Sequence, residues 1–132
     1  LAIQKISLKG TILKPNMVMQ GSKNSNKITS EEIAKKTLDC LKKNVPDEVP
    51  GIAFLSGGQS EQEASKNLDA INKINDTNFL ITFSYGRALQ QSALKVWSKE
   101  MSNTKAIYNI FNHRAKMNSL ASTGTWSQSL EI

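Results

Sequence analysis

The chain has 132 residues, of which 39% are hydrophobic and 21% charged, and its formal net charge is +6. This length suits one small domain, and the composition is that of a globular segment rather than a disordered one. No apolar run approaches the roughly 20 residues that a membrane helix needs. The charge fits nucleic acid or anionic small molecules, but the lysines are scattered and few aromatics lie between them, so charge alone does not decide.

The first predicted unit joins a short strand to a helix. Its apolar residues 10–13 end at Lys14-Pro15-Asn16, and a loop rich in Ser, Asn and Lys follows. The helix is predicted to begin near Thr29, because Thr29 and Glu32 have the spacing of a capping box, and Pro46 ends the helical pattern. The unit therefore places a lysine at the end of its strand.

Two further units repeat this organisation. In the second, residues 51–55 form the predicted strand, Ser56-Gly57-Gly58 form the turn, and Ser60 opens another capping box. In the third, residues 79–83 form a nearly continuous apolar strand, and Ser84-Tyr85-Gly86-Arg87 form the turn before the next helix. Three strand–turn–helix repeats predict an α/β chain.

A last amphipathic helix is predicted over residues 103–121, which would close a domain of residues 1–121. The polar residues 122–132 are expected to form a flexible C-terminal tail. His113, the only histidine, lies in a polar part of this helix, where we expect a solvated side chain. Cys40, the only cysteine, falls beside the apolar face of the first helix and is expected to be a buried thiol. Together they cannot build a standard zinc site, so no metal is predicted.

The three units predict a parallel sheet covered on its faces by helices, because strands that are apolar throughout are typical of such sheets. Right-handed βαβ connections place the carboxyl ends of all strands on one edge. Lys14, Ser56 and Ser84 each follow a strand at that edge. We therefore expect the three turns to converge on one rim, where α/β sheets and barrels bind ligands.

Two of these turns suit an anion. Ser56-Gly57-Gly58 offers a hydroxyl and backbone N–H groups that a ligand can approach closely, and Arg87 adds a guanidinium where a helix begins. A lysine partly removed from water beside them, such as Lys14, would favour its free amine and could form a Schiff base with a carbonyl. The residues alone leave open that both turns are ordinary tight βα connections and that Lys14 is a solvated strand-end lysine.

Three motifs in this order resemble the C-terminal part of the class I fructose-1,6-bisphosphate aldolases. They are G-T-I-L-K-P-N-M-V, then G-I-A-F-L-S-G-G-Q-S-E-Q-E-A, then T-F-S-Y-G-R-A-L-Q-Q-S-A, and the likeness covers about residues 8–123. The resemblance implies the last three βα units and a C-terminal helix of a (β/α)₈ TIM barrel. It also implies a glycolytic lyase that cleaves fructose 1,6-bisphosphate into dihydroxyacetone phosphate and glyceraldehyde 3-phosphate.

The same resemblance assigns roles to residues of this chain. Lys14 would form the Schiff base with the ketose C2 carbonyl. The C1 phosphate would be held by residues of the other two turns, namely Ser56, Gly57, Gly58, Ser84, Gly86 and Arg87. No metal or other cofactor is implied, and the family suggests a homo-oligomer, a tetramer. Neither a membrane nor a nucleic acid is expected as a partner. A cytoplasmic location is implied, or a plastid one if a transit peptide has been removed.

The chain also departs from the family pattern. It would supply only three of eight strands, and the family's acid/base carboxylates and assisting lysines come from earlier strands. It ends in Ser-Leu-Glu-Ile where the family has a tyrosine that assists catalysis, so that role is not assigned to a residue of this chain. The chain opens without Met and partway into a periodic pattern. We therefore expect an interior piece of a longer protein, with little or no activity alone and with two open sheet edges that favour pairing with another copy.

A different class of function remains open at this point. An aldolase-derived module could hold a phosphosugar or an acidic protein partner on the same rim without turnover. A nucleic-acid role would rest on charge alone, and the dispersed lysines do not favour it.

Overall fold

In the computed structural model of the protein, which describes residues 1 and 3–131, three parallel strands form one sheet in the order of the chain. Strand β1 is Ile12–Leu13, β2 is Gly51–Phe54 and β3 is Leu80–Phe83. Ile12 pairs with Gly51, and Gly51 pairs in turn with Leu80. The predicted parallel α/β architecture is confirmed.

The described residues also form four α-helices: α1 is Ser30–Asn44, α2 is Glu61–Lys73, α3 is Arg87–Lys99 and α4 is Thr104–Ala121. Short 3-10 turns lie at Leu8–Gly10 and Gln128–Leu130. Among the described helices, none combines the length and apolar character that a bilayer-spanning segment requires.

Local chemistry sets where the first two helices begin. The Thr29 hydroxyl accepts a hydrogen bond from the Glu32 N–H at 3.2 Å, which caps α1. Ser60 accepts from the Glu63 N–H at 3.2 Å, and the Glu63 carboxylate accepts from the Ser60 N–H at 3.0 Å. The capping box predicted for α2 is thus complete, whereas at α1 the structure shows the Thr29 half of the motif.

The helices cover one face of the sheet only. Ile52, Phe54 and Ile81 are buried in the core beneath the helices. On the opposite face Leu80 is 79% exposed and Ile12 is 69% exposed. The predicted cover on both faces is therefore wrong for this chain, because three strands that do not close on themselves leave the inner side of the expected barrel open to water.

The C-terminal segment packs against the helices rather than extending away from them. Trp126 is only 5% exposed, and its backbone N–H donates to Asp69 of α2 at 3.0 Å. Arg114 of α4 holds the Glu131 carboxylate with two hydrogen bonds, at 2.6 and 2.8 Å. The described residues 122–131 thus differ from the loose tail predicted. Although this stretch is polar overall, it contributes a buried aromatic side chain and the carboxylate of a buried ion pair. Ile132 lies outside the described residues.

Two single residues also differ from expectation. Cys40 is exposed, because it lies two positions after the buried Leu38 and so turns away from the core. His113 is half-buried, with its Nε2 atom 3.7 Å from a Glu131 carboxylate oxygen. The sequence around His113 is polar and gives no sign that the C-terminal segment folds over this side chain.

Candidate active site

The three turns lie at one edge of the sheet, as the topology predicts. The Leu55 N–H donates to the Pro15 carbonyl at 3.0 Å, which ties the Lys14-Pro15 segment to the end of β2. The Ser84 N–H donates to the Phe54 carbonyl at 2.8 Å, which ties the third turn to the same strand end. These two backbone hydrogen bonds therefore hold the three turns together on one rim.

Lys14 follows β1 and stands free in solvent. Successive residues of a strand point to opposite faces, which places Lys14 on the same open face as Ile12, beyond the pairing of Leu13 with Ile52. Lys14 is exposed and makes no ion pair with a carboxylate in the part of the chain that the structure describes. The described residues present its amine at the rim but do not withdraw it from water.

Asn16 connects the lysine segment to the Ser56-Gly57-Gly58 turn, a link that no sequence motif revealed. Gly57 has φ +53°, and a Cβ at this position would lie 2.9 Å from Asn16 Cγ. Asn16 itself is fixed, because its Oδ1 atom accepts from the Met17 N–H at 3.0 Å. Gly57 is therefore favoured by its left-handed backbone, and an added Cβ would also force the exposed Asn16 side chain to shift.

The Ser56-Gly57-Gly58 turn leaves donors free. It is closed by the Gln59 N–H, which donates to the Ser56 carbonyl at 3.0 Å, and Gly58 has φ +83°. Within residues 1 and 3–131, no acceptor is found for the Gly57 and Gly58 N–H groups. Two unpartnered N–H groups in a glycine turn are suited to an anion.

The second glycine turn opens a helix without a side-chain cap. Gly86 is the N-cap of α3, and no side chain of the described chain caps it. Arg87 follows at the first helical position, is exposed, and forms no ion pair with the described carboxylates. Ser84 is exposed beside them. The uncapped N–H groups, the helix dipole and a free guanidinium together make this the more electropositive part of the rim.

A buried side chain, Tyr85, and a half-buried one, Glu61, connect the elements that carry the two glycine turns. The Tyr85 hydroxyl donates to the Ala64 carbonyl at 3.0 Å, and burial raises the pKa of the Tyr85 phenol. Glu61, the first residue of α2, accepts a hydrogen bond from the Ser92 N–H of α3 at 3.0 Å and another from its hydroxyl. Sequence reasoning missed both links, because each joins residues that are distant in the chain.

The rim itself is not enclosed. A cavity of about 540 Å³ lies between α2, α3 and α4, and one of about 590 Å³ lies between α3 and α4. Neither is lined by Lys14 or Arg87. A three-stranded sheet gives a flat edge, whereas grooves between helices give concavities, so we locate the site from the backbone geometry of the turns.

Comparisons with known proteins agree on one family. The family model for fructose-bisphosphate aldolase class-I matches residues 1–131. The chain is 50% identical over 125 residues to fructose-bisphosphate aldolase B of Sparus aurata, covering 94% of this chain and 34% of that protein. It is 47% identical over 128 residues to fructose-bisphosphate aldolase 4, cytosolic, of Arabidopsis thaliana, covering 96% of this chain and 33% of that protein.

A solved structure gives the same answer at the level of the fold. Fructose-bisphosphate aldolase from Plasmodium falciparum, solved in complex with TRAP and a small-molecule inhibitor, superposes with a TM-score of 0.89 at 42% identity. The match covers 93% of this chain and 35% of that one. The chain thus spans about a third of the length of the relatives it matches. With its sequence matched from residue 1 to residue 131, the chain belongs to the class I fructose-bisphosphate aldolase family.

Proposed function

We propose that this chain carries the ketose-phosphate side of a Schiff-base aldolase site. The observation that supports the proposal is the meeting of the Lys14 segment and two anion-suited glycine turns on one edge of the sheet, in a member of this family. The three βα units would be the last three of a (β/α)₈ barrel, whose ligands bind at this end of the strands.

In the proposed reaction the Lys14 amine attacks the C2 carbonyl of fructose 1,6-bisphosphate, and loss of water gives a protonated imine. A base takes the proton of the C4 hydroxyl, which becomes the aldehyde carbonyl as the C3–C4 bond breaks, and the electron pair of that bond moves into the imine. Glyceraldehyde 3-phosphate leaves, and dihydroxyacetone phosphate remains bound as an enamine until it is protonated and hydrolysed. Covalent catalysis of this kind divides one difficult cleavage into easier steps.

The C1 phosphate has its donors in the other two turns. The Gly57 and Gly58 N–H groups and the Ser56 hydroxyl would bind one side of the phosphate. Ser84, the Gly86 N–H and the Arg87 guanidinium would bind the other side, where the N-terminus of α3 favours negative charge. Binding this group holds the ketose with its carbonyl near Lys14, which lowers the entropic cost of imine formation.

We propose that the chain alone cleaves little or no substrate. The proton transfers of the reaction need acid/base groups, and the family resemblance places these on barrel strands that precede the matched third. Open strand edges also favour association with further chains, in keeping with the homo-oligomer proposed from the family. Two relatives carry the words cytosolic and cytoplasmic in their names, which supports glycolysis in the cytoplasm as the setting, with a plastid form as the other possibility.

A second function is favoured by the exposure of Lys14. An aldolase-derived module could bind a phosphosugar through the two glycine turns, or an acidic protein through its net charge of +6, without forming an imine. In that case the donors of the two turns would bind phosphate, but the solvated Lys14 amine would not form an imine.

Trapping with borohydride separates these functions. The chain is incubated with dihydroxyacetone phosphate, reduced, digested and analysed by mass spectrometry. We expect the adduct on the peptide that contains Lys14, and we expect Lys14→Met to abolish it while Lys9→Met, a change at another exposed lysine on the approach to β1, leaves it unchanged. Phosphate binding without an adduct would favour the module, and labelling spread over many lysines would contradict the assignment of Lys14.

A further inference from the structure

The two glycine turns are joined by a buried hydrogen bond that bypasses the rim. Tyr85 lies between Ser84 and Gly86, and its side chain leaves the turn and enters the core, where it is 6% exposed. Its hydroxyl donates to the Ala64 carbonyl at 3.0 Å. Ala64 belongs to the first turn of α2, the helix that begins at Glu61, shortly after Ser56-Gly57-Gly58. This bond therefore adds to the backbone bond from Ser84 to Phe54 in setting the distance between the turns.

A second contact, here called the second brace, also joins α3 to α2. The Glu61 carboxylate, at the start of α2, accepts hydrogen bonds from the backbone N–H and the hydroxyl of Ser92 in α3. Ser92 lies in the middle of α3, whereas Tyr85 lies just before that helix begins. Two contacts at different heights restrict rotation of α3 against α2 as well as its distance.

The start of α3 depends on these braces, because no local cap holds it. Ser60 and Glu63 cap α2 with their own side chains, but Gly86 has no side chain and α3 has no side-chain cap. The position of the Gly86 and Arg87 N–H groups is therefore set by these two contacts and by the backbone bond from Ser84 to Phe54, not by a cap on the helix. The tilted packing of the Phe83 and Tyr85 rings, with centroids 5.4 Å apart, adds to the same support.

We infer that Tyr85 is a positioning residue for the phosphate site, which holds the donors of Gly86 and Arg87 at a fixed separation from those of Gly57 and Gly58. The inference rests on the proposed function, since it concerns the same phosphate. One anion can be bound by both turns only if their donors are preorganised, and small displacements are costly in such sites. Tyr85 itself does not touch the ligand.

The plainer role for a buried tyrosine is packing alone. A packing role would lower the stability of the whole chain and leave the phosphate affinity of the folded fraction unchanged. A positioning role lowers that affinity while the chain stays folded. Phosphate affinity measured on folded protein therefore distinguishes the two.

The test uses Tyr85→Phe, which keeps the ring and removes the hydroxyl, with Tyr108→Phe as the matched control. Tyr108 is the only other tyrosine and is exposed on α4. Inorganic phosphate is titrated into the labelled chain while the amide resonances of Gly57, Gly58, Gly86 and Arg87 are followed by NMR. We expect Tyr85→Phe to weaken phosphate binding roughly fivefold, the effect of one hydrogen bond of ordinary net strength. Ser92→Ala, which removes the hydroxyl bond of the second contact and leaves its backbone N–H bond, is expected to act in the same direction and more weakly.

Amide hydrogen exchange gives a readout that does not need the ligand. The Leu89 and Gln90 N–H groups both donate to the Gly86 carbonyl, so their protection reports on the start of α3. We expect faster exchange at these two amides in Tyr85→Phe and no change at Ile33, which reports on the start of α1. A chain that binds no phosphate would contradict the proposed function, and the exchange data would then decide the role of Tyr85 alone. Unchanged exchange at Leu89 and Gln90, or unchanged phosphate affinity where the native chain binds, would overturn the inference.

Discussion

At the scale of single residues, the candidate site depends on glycines whose roles differ. Gly57 and Gly58 both have positive φ, but only Gly57 lies against another side chain, that of Asn16. Gly58 has open space around the position of a Cβ. The Ser-Gly-Gly motif predicts a tight turn from sequence. The contact with Asn16 could not be predicted, because it joins two segments that meet only once the sheet has formed.

Gly57→Ala is expected to destabilise the chain by about 1–3 kcal/mol, since it adds a strained backbone to a clash with Asn16. The free energy of unfolding in urea measures this. Gly58→Ala carries the backbone strain alone and should cost less.

Gly21→Ala is the matched control for this series, because Gly21 lies outside the left-handed region and an added methyl group would meet nothing within 4 Å. It should leave the free energy of unfolding close to that of the native chain. Equal stability of the Gly57 and Gly21 variants would contradict the account of the turn.

At the scale of elements, capping motifs and periodicity predicted where the helices lie, but they did not predict the contacts between elements. The start of α2 follows from Ser60 and Glu63, three residues apart. The burial of Trp126 could not be inferred in this way, because its N–H donates to Asp69, 57 positions earlier in the chain. The same holds for the link from Tyr85 to Ala64. Long-range polar contacts of this kind carry no period in the sequence.

Glu131 is the residue by which the C-terminal segment is fastened to α4. It accepts two hydrogen bonds from Arg114 and one, at 2.9 Å, from the Trp126 indole N–H. Burial acts to raise the pKa of the Glu131 carboxyl, but the hydrogen bonds from Arg114 and Trp126, with the charges of Arg114 and His113, outweigh it and lower that pKa. The ionised carboxylate therefore contributes to stability.

Glu131→Gln is expected to lower the free energy of unfolding by about 1.5–3 kcal/mol at neutral pH, the range for hydrogen bonds to charged groups. Because the folded pKa is below the unfolded value of about 4.3, this contribution is full above that pH and is lost as the pH falls through the folded pKa. Urea unfolding from pH 7 down to pH 3 measures it.

The difference between the native chain and Glu131→Gln should accordingly narrow in acid. Glu48→Gln, at an exposed carboxylate, is the control and should show little effect across the range. A constant difference between native chain and Glu131→Gln down to pH 3 would count against the ionised contact.

At the scale of the whole molecule, the helices cover one side of a sheet whose strands are apolar on both. Ile12 and Leu80 on the open face would be enclosed in a complete barrel, and here they meet water. The sequence predicted correctly that the strands are apolar, but it predicted incorrectly that both faces of the sheet are covered by helices. Residue type indicates that a strand is buried but not which chain segment buries it.

We expect the chain to self-associate through this face and its open edges. Sedimentation velocity over a range of concentrations measures the association. Leu80→Ser should weaken the association without unfolding the chain, since the Leu80 side chain is mostly exposed and lies outside the core. Ile3→Ser is the control, because Ile3 is 94% exposed and is not part of a strand. A native chain that stays monomeric at high concentration would refute the expected association.

If Lys14 and the two glycine turns act on one ketose phosphate, borohydride trapping should distinguish two ketones that differ only in a phosphate group. Dihydroxyacetone phosphate and dihydroxyacetone carry the same carbonyl, but only the first has a phosphate for the turns. We expect dihydroxyacetone phosphate to label Lys14 at concentrations roughly tenfold lower or more, since charge-assisted phosphate contacts contribute about 1.5–3 kcal/mol each. Arg87→Ala should remove most of that advantage. Equal labelling by both ketones, or none at Lys14, would contradict the account.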